Sequence, residues 1–496
     1  MSSVRTALLQ SLIERYLLLA LALASNIALA RLLTPEEIGI YSVSLAILGV
    51  AQVFRDFGIG SYLIQSRELD EEKTGTAFAI SLLLGTLLFA TLFLVAPIVS
   101  KYYGDKRITD TIRICAINFI ALPFSTVPMA VLRRELQFKK TMHASIIGGA
   151  TGALTSTGLA WAGVGVNSLA LGAMLGNLAL VGALAIAAPK RCFPKPKLTY
   201  WRAVLAFGGQ TSLTGAITSI SMDMNDLVVG KTLGFQPVAI LSRAQGLMNM
   251  FNRDLMAAIR NVALPAFAET HRKGTDLGRP YAHAVALVTV FGWPFHALIA
   301  IYSLEVLHLL YGVQWLSAAP LVPLFSLAGA VTAVNALTPN LLTAIGRVDL
   351  TTRVEVLVQT IRMALIAGAA VIFRSIEACA IAFMLSSVIA APVFGWVRER
   401  ALGGGGQALR QGLAKSAVVT LACATPALIH VSLVGWGHQQ PIAVWAWLSV
   451  CALGALAALA ASHLVGHPLE QEPHILKLKS RLRGGLARRG PEQGHQ

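Results

Sequence analysis

Charged side chains inside long apolar stretches are the residues of this sequence best placed to do chemistry. Arg55 and Asp56 stand in one such stretch, and Arg243, Arg253, Asp254 and Arg260 in another. Arg362 lies near the middle of a third, with Glu355 and Gln359 on the same helical face. Asp223 and Asp226 close a fourth, and Arg113 enters a fifth. At helical spacing Asn249, Arg253 and Arg260 share one face. A charge in hydrocarbon is costly unless it meets protein, water or a ligand. Arginines outnumber acids here, and a guanidinium holds phosphates and carboxylates with paired hydrogen bonds. A water-filled cavity lined by Arg362, Arg253, Arg243, Arg260, Arg55 and Asn249 therefore suits a phosphate- or uronate-bearing ligand. Asp56, Asp254, Asp223 and Asp226 are the candidates for exchanging a coupling proton or sodium ion. A structural role competes with this one. Arg–Asp neighbours fix helix packing, and residues near span ends snorkel to water. That alternative weighs most on Arg55–Asp56 and Arg253–Asp254, and least on Arg362, which is too deep to snorkel.

Enzymatic patterns fail in the same sequence. Gly230-Lys231-Thr232 has the form of a P-loop end, but Asn225 stands where the first glycine belongs. There is no HExxH, and Cys115, Cys192, Cys379, Cys423 and Cys451 are scattered without a CxxC pair. Neither a metal site, a cofactor nor a disulfide framework is expected. Any transport energy must come from an ion gradient, the membrane potential or the substrate gradient.

The elements that must position these residues are membrane helices. The chain is 55% hydrophobic and only 13% charged, with a mean hydropathy of +0.66. A soluble chain of this length needs more charge to cover its surface. Runs such as Tyr16 to Leu33, Ala77 to Val99 and Ala443 to Ala461 are long enough to cross a hydrocarbon layer roughly 30 Å thick. They lack the period-2 alternation of a β-barrel. The expected fold is all-α, a polytopic transmembrane bundle of about fourteen helices. The spans fall near 12–33, 38–62, 75–98, 108–131, 142–162, 166–188, 203–224, 238–262, 282–302, 318–344, 352–373, 376–396, 414–432 and 441–462. Ala28-Leu29-Ala30 has the look of a signal-peptidase site, but the first span has a later counterpart and is expected to stay.

The net charge of +16 reports topology rather than nucleic acid. Most basic residues fall in one set of alternate loops, which include Arg133, Arg134, Lys139, Lys140, Lys195, Lys197, Arg272, Lys273, Arg398 and Arg400. That set is cytoplasmic by the positive-inside rule, and both termini with it. The outer loops are short, so no extracytoplasmic domain is expected.

The chain also repeats. Arg31 to Ser42 aligns with Lys231 to Ser242 at constant shift, Phe54-Arg55-Asp56 answers Asn252-Arg253-Asp254, and Tyr103-Gly104 echoes Tyr311-Gly312. An even number of spans separates the copies, so the repeat is parallel, with its axis along the membrane normal. The expected division is a six-helix bundle over 1–190, a second over 191–397, two further spans over 398–465 and a basic tail over 466–496. Gly403 to Gly406 reads as the link to the last spans, and the tail as a segment lying on anionic inner-leaflet lipid. Gly148 and Gly152, then Gly172 and Gly176, mark close helix packing.

Ala30-Arg-Leu-Leu-Thr-Pro-Glu-Glu-Ile-Gly-Ile-Tyr41 and Phe54-Arg-Asp-Phe-Gly-Ile-Gly-Ser-Tyr-Leu-Ile-Gln65 resemble the Wzx-type polysaccharide flippases. That branch belongs to the MOP exporter superfamily, beside the MATE drug exporters and lipid II flippases. Asn225 to Lys231, Ser242-Arg-Ala-Gln245 and Leu264-Pro-Ala-Phe267 carry the resemblance into the second half. It implies two six-helix halves forming a V, plus two C-terminal helices, around a cationic cavity with alternating access. It also implies undecaprenyl-diphosphate-linked oligosaccharide as substrate, a bacterial inner-membrane location, and partnership with polysaccharide polymerase or export machinery. Asp56, Asp223, Asp226 and Asp254 depart from a purely anion-binding surface. Two other functions compete: an ion-coupled exporter of small molecules, and a membrane glycosyl-transfer enzyme such as a polymerase or ligase. The short outer loops speak against the second.

Overall fold

The computed structural model describes residues 2–56, 58–66, 69–189, 194–206, 224–404, 406–435 and 440–471. Every expected span has a helical counterpart among them except the seventh, 203–224, most of which lies outside the described residues. Nine helices among the described residues are long and apolar enough to cross a membrane, or ten if one bent pair counts as a span. The protein is thus a multi-pass, all-helical membrane protein.

Contacts divide the chain into two units. The first comprises Met1–Leu241, Leu310–Trp315 and Ile366–Ala378, and the second Ser242–Leu309, Leu316–Leu365 and Cys379–Gln496. In the first unit the helices are α1 (Ser2–Leu32), α2 (Pro35–Asp56), α3 (Ile59–Gln65), α4 (Glu71–Tyr103), α5 (Arg107–Ala121), α6 (Pro123–Arg134), α7 (Phe138–Trp161) and α8 (Asn167–Ala187). Helices α5 and α6 meet at a 45° bend. Its cause is Pro123, which lacks an N–H and clashes with the preceding turn.

The conspicuous Thr34-Pro-Glu-Glu37 segment is a helix start. Glu37 accepts from the Thr34 backbone N–H at 2.8 Å, and the Glu37 N–H donates back to Thr34 Oγ1 at 3.3 Å. With Pro35 in the first turn, this is a capping box. Helices α7 and α8 pack through the glycines singled out above. A Cβ on Gly176 would stand 2.8 Å from the Gly148 carbonyl oxygen, and one on Gly152 would be 3.2 Å from that of Gly172. Backbones can approach this closely only where side chains vanish.

Two sets of contacts in the first unit join positions that the sequence repeat makes equivalent. Tyr103 donates its hydroxyl to Leu227 O at 3.0 Å, while Lys231 bonds the Tyr102 carbonyl and lies over its ring. Reciprocally, Trp315 Nε1 donates to Ala30 O at 2.7 Å, and Gln314 Nε2 to Leu33 O at 3.0 Å. One clasp joins 102–103 to 227–231, and the other joins 314–315 to 30–33. The clasps fall close to the matched positions of the repeat: 30–33 aligns with 230–233, and 314–315 lies just beyond Tyr311, the match of Tyr103.

Helix α9 (Phe235–Asn249) begins in the first unit and enters the second at Ser242, followed there by a π-helical stretch (Met250–Leu255) and α10 (Met256–Arg272). The second unit holds α11 (Gly278–Ile301), α13 (Val322–Asn335), α14 (Thr338–Ala344), α17 (Gly406–Val434) and α18 (Val444–Leu464), and most of α12 (Ser303–Tyr311), α15 (Val348–Ile372) and α16 (Ile376–Leu402). Gly403 adopts φ +65°, which lets the chain leave α16 abruptly towards α17. Helix α17 packs on α11 and α18. The segment after α18 folds back onto α17. Lys415 donates to Gly466 O at 2.8 Å, and buried His467 bonds Ser416 Oγ through Nε2 at 3.1 Å.

Candidate functional site

Arg362 is half-buried in the middle of α15. Its Nε donates to Ser386 Oγ on α16 at 3.1 Å, and its guanidinium carbon lies 4.7 Å from the Phe383 ring centroid. Ser386 in turn donates to Phe383 O at 2.6 Å. The charge is thus held against an aromatic face and one hydroxyl. Glu355, two turns away on α15, forms no salt bridge with it among the described residues, so the packing partner is α16. The outer Nη edge makes no hydrogen bond among the described residues. A planar fork fixed at Nε, with Nη donors that bond nothing among the described residues, has the chemistry to take an anion in a paired geometry.

The other arginines divide by role. Arg260, half-buried in α10, donates to Asn252 O at 3.2 Å and to Arg253 O at 3.3 Å. Both carbonyls belong to the π-helical stretch. Where the ladder changes from i+5 back to i+4, carbonyls lose their regular partners, and Arg260 supplies donors for them. Its own carbonyl accepts from Asn340 Nδ2 at 3.1 Å. A π-turn lies between Asn249 and Arg260, two of the three residues expected to share one face. One extra residue rotates everything beyond it by about 100°, the step of a 3.6-residue turn. Arg253 is exposed, whereas Asn249 and Arg243 are half-buried. The structure ties Arg260 to the backbone at 252–253 and does not bring these residues together with Arg362 in one described contact.

The acidic candidates are less visible. Asp226 is half-buried in a helical stretch at 224–232. Arg55 and Asp56 end α2, and Asp254 lies in the π-helical stretch, but their side chains lie outside the described ones. Asp223 lies wholly outside, and so does the tail from residue 472. No cluster of His, Cys, Asp or Glu able to hold a metal occurs among the described residues.

Several buried polar groups escaped the sequence reading. Asn177 Nδ2 donates to Asn118 Oδ1 at 3.0 Å between α8 and α5. Arg398, only 8% exposed, donates through Nη1 to Asn335 Oδ1 at 3.1 Å. His296 is buried beside Phe251 of the π-helical stretch, its ring nitrogens without a hydrogen-bond partner among the described residues. The asparagines were legible as polar residues in apolar runs. Their partners were not, because they lie far apart in sequence.

Comparison with known proteins agrees with this architecture. A family model described as "Polysaccharide biosynthesis protein" matches residues 28–320. The "Lipopolysaccharide biosynthesis protein WzxC" of Escherichia coli (strain K12) is 24% identical over 355 residues, covering 70% of this chain and 71% of that one. The "Succinoglycan biosynthesis transport protein ExoT" of Rhizobium meliloti (strain 1021) is 23% identical over 307 residues, covering 61% of each. The structure titled "Lipid II flippase MurJ, inward closed conformation" aligns with a TM-score of 0.73 at 12% identity, over 92% of this chain and 98% of that one. That likeness establishes a MurJ-like helical fold. With the family model covering more than half of its length, the chain belongs to the polysaccharide biosynthesis protein family.

Proposed function

We propose that this protein is a flippase, not an enzyme. It carries undecaprenyl-diphosphate-linked oligosaccharide repeat units across the bacterial inner membrane by alternating access, for exopolysaccharide, capsule or O-antigen synthesis. The observation that carries this reading is the family match over 28–320, joined to a fold shared with a lipid II flippase. The names of the relatives, lipopolysaccharide biosynthesis and succinoglycan transport, point to the same class of cargo.

In this reading Arg362 receives diphosphate or acidic sugar at its Nη edge. Arg253, Arg243, Arg55 and Asn249 extend the cationic lining, and Arg260 acts through the π-helical backbone it supports. Asp56, Asp254, Asp223 and Asp226 are the residues proposed for ion coupling. The halves 1–190 and 191–397 work as the two arms, 398–465 adds two spans, and both termini are cytoplasmic. The basic tail lies on anionic lipid and is placed to meet polymerase or export machinery.

The test is a chromosomal deletion in the source organism. Loss of surface polysaccharide is expected, with the lipid-linked repeat unit accumulating on the cytoplasmic leaflet and complementation restoring export. Accumulation of finished repeat units on the outer leaflet would instead indicate a polymerase or ligase. An unchanged lipid-linked pool with altered drug sensitivity would indicate a small-molecule exporter.

A further inference from the structure

Helices α11, α13 and α16 enclose a cleft of about 490 Å³ in the second unit. Its walls are hydrocarbon: Leu327, Val331 and Val334 from α13, and Ala391 and Pro392 from α16. Trp293 from α11 also faces it. The indole N–H of Trp293 is consumed by Ala330 O at 2.9 Å, so the ring contributes only apolar surface. The volume falls within the roughly 300–1,000 Å³ of sites that hold small ligands.

One end of the cleft is different. Asn335, Gly395 and Arg398 close it. Arg398 is more than nine-tenths buried. It donates to the neutral Asn335 Oδ1 at 3.1 Å, and Tyr281 lines the same corner of the fold. The nearest carboxylate oxygen, on the exposed side chain of Glu399, is 3.8 Å from Nη2, beyond hydrogen-bond reach. With five N–H groups, Arg398 keeps donors for a further acceptor. Gly395 places no side chain beside Nη2, since even a Cβ there would stop 3.6 Å short of it.

The depth of this end follows from its neighbours. Arg400 lies 5.4 Å from the ring of exposed Trp396, an aromatic–cation pair typical of the boundary between hydrocarbon and water. Helices α13 and α16 run parallel, since Phe325 meets Phe383 at 5.0 Å and Asn335 meets Arg398 further along both. From Asn335 back to Leu327 the trough therefore runs about 12 Å inward, at 1.5 Å per residue. A buried cation at the interface with a single apolar trough leading inward fits one hydrocarbon chain with an anionic head.

We propose that this cleft binds the polyprenyl chain of the lipid carrier, with its phosphate at Arg398. The inference rests on the flippase reading above and adds a lipid site distinct from Arg362. Purified full-length protein in phosphatidylcholine nanodiscs would be titrated with undecaprenyl phosphate, phosphatidylglycerol or inorganic phosphate, and bound lipid read by native mass spectrometry. The expected result is retention of undecaprenyl phosphate at least tenfold above phosphatidylglycerol, with no retention of inorganic phosphate. Ala391→Trp, which fills the trough and leaves Arg398 intact, and Arg398→Gln should each reduce it tenfold or more. If Ala391→Trp does not fold, Leu327→Trp at the trough mouth replaces it. Equal retention of both lipids would mean an ordinary boundary lipid and overturn the proposal, as would wild-type retention by the plugged variant. Export by the wild-type protein is scored separately. Export without selective binding sinks the cleft alone, and selective binding without export sinks the flippase reading alone.

Discussion

At the scale of single residues, a charge in the middle of a membrane helix carries its own explanation with it. Arg362 stood out in the sequence because depth makes snorkelling impossible, and the structure supplies its setting: a phenyl face, one hydroxyl and Nη groups that bond nothing among the described residues. Arg362→Ala should cut polysaccharide export at least tenfold per inserted molecule. Arg362→Lys should recover a minor part, because an ammonium keeps the charge but loses the fork. Wild-type export from the alanine variant, measured as surface polysaccharide against membrane-inserted protein, would remove Arg362 from the site. Arg398 was read only as a loop charge, since it falls just past the span read as 376–396. Its burial comes from Asn335, 63 residues earlier in the chain, and no local pattern announces that partner.

At the scale of elements, hydropathy located the helices well, and what it missed was phase and termination. The span read as 238–262 is three pieces, because the π-turn at Met250–Leu255 breaks the 3.6-residue period. Periodicity assumes one ladder, so a register change is invisible until its carbonyls are seen to need Arg260. The segment after α18 offers a test of pH dependence. His467 lies beyond the last span, fully buried. Burial first, then the nearby Lys415 and His283 charges, lowers its pKa to about 4. Its Nδ1 accepts the Leu469 N–H at 3.1 Å, which leaves Nε2 to donate to Ser416 Oγ. The folded form therefore favours neutral imidazole, while the released segment titrates near 6.5. Between those values the released form binds more protons, so docking weakens as pH falls from about 6.5 to about 4, by on the order of 2 kcal/mol. Hydrogen exchange over residues 463–471 should quicken across that window. His467→Gln, which keeps a donor without titrating, should flatten the profile, and an identical profile in that variant would discard the assignment.

For the molecule as a whole, the repeat was the most informative feature of the sequence, and the clasps are its physical trace. The match of Arg31 with Lys231 and of Tyr103 with Tyr311 predicted equivalence. It could not say that the equivalent positions touch crosswise. Alternating access requires one end of such a protein to open, and the first clasp joins the end of α4 to the helical stretch at 224–232. Cysteines at positions 102 and 231, joined by a short bifunctional thiol reagent, should stop export while the singly substituted proteins keep it under the same treatment. Undiminished export with complete linkage would show that this clasp stays shut throughout the cycle.

The reciprocal placing of the two clasps also bears on how populations are set. Hydrogen bonds of this kind contribute about 1 kcal/mol each net of water, so neither clasp alone can hold an equilibrium far to one side. Two together multiply, and removing one, with its two hydrogen bonds, shifts the ratio of shut to open molecules by roughly thirtyfold without abolishing either state. Damage confined to Trp315 or to Lys231 is then expected to show as leakiness and altered turnover. A duplicated ancestry thus leaves the transporter with a graded restraint, set in two increments.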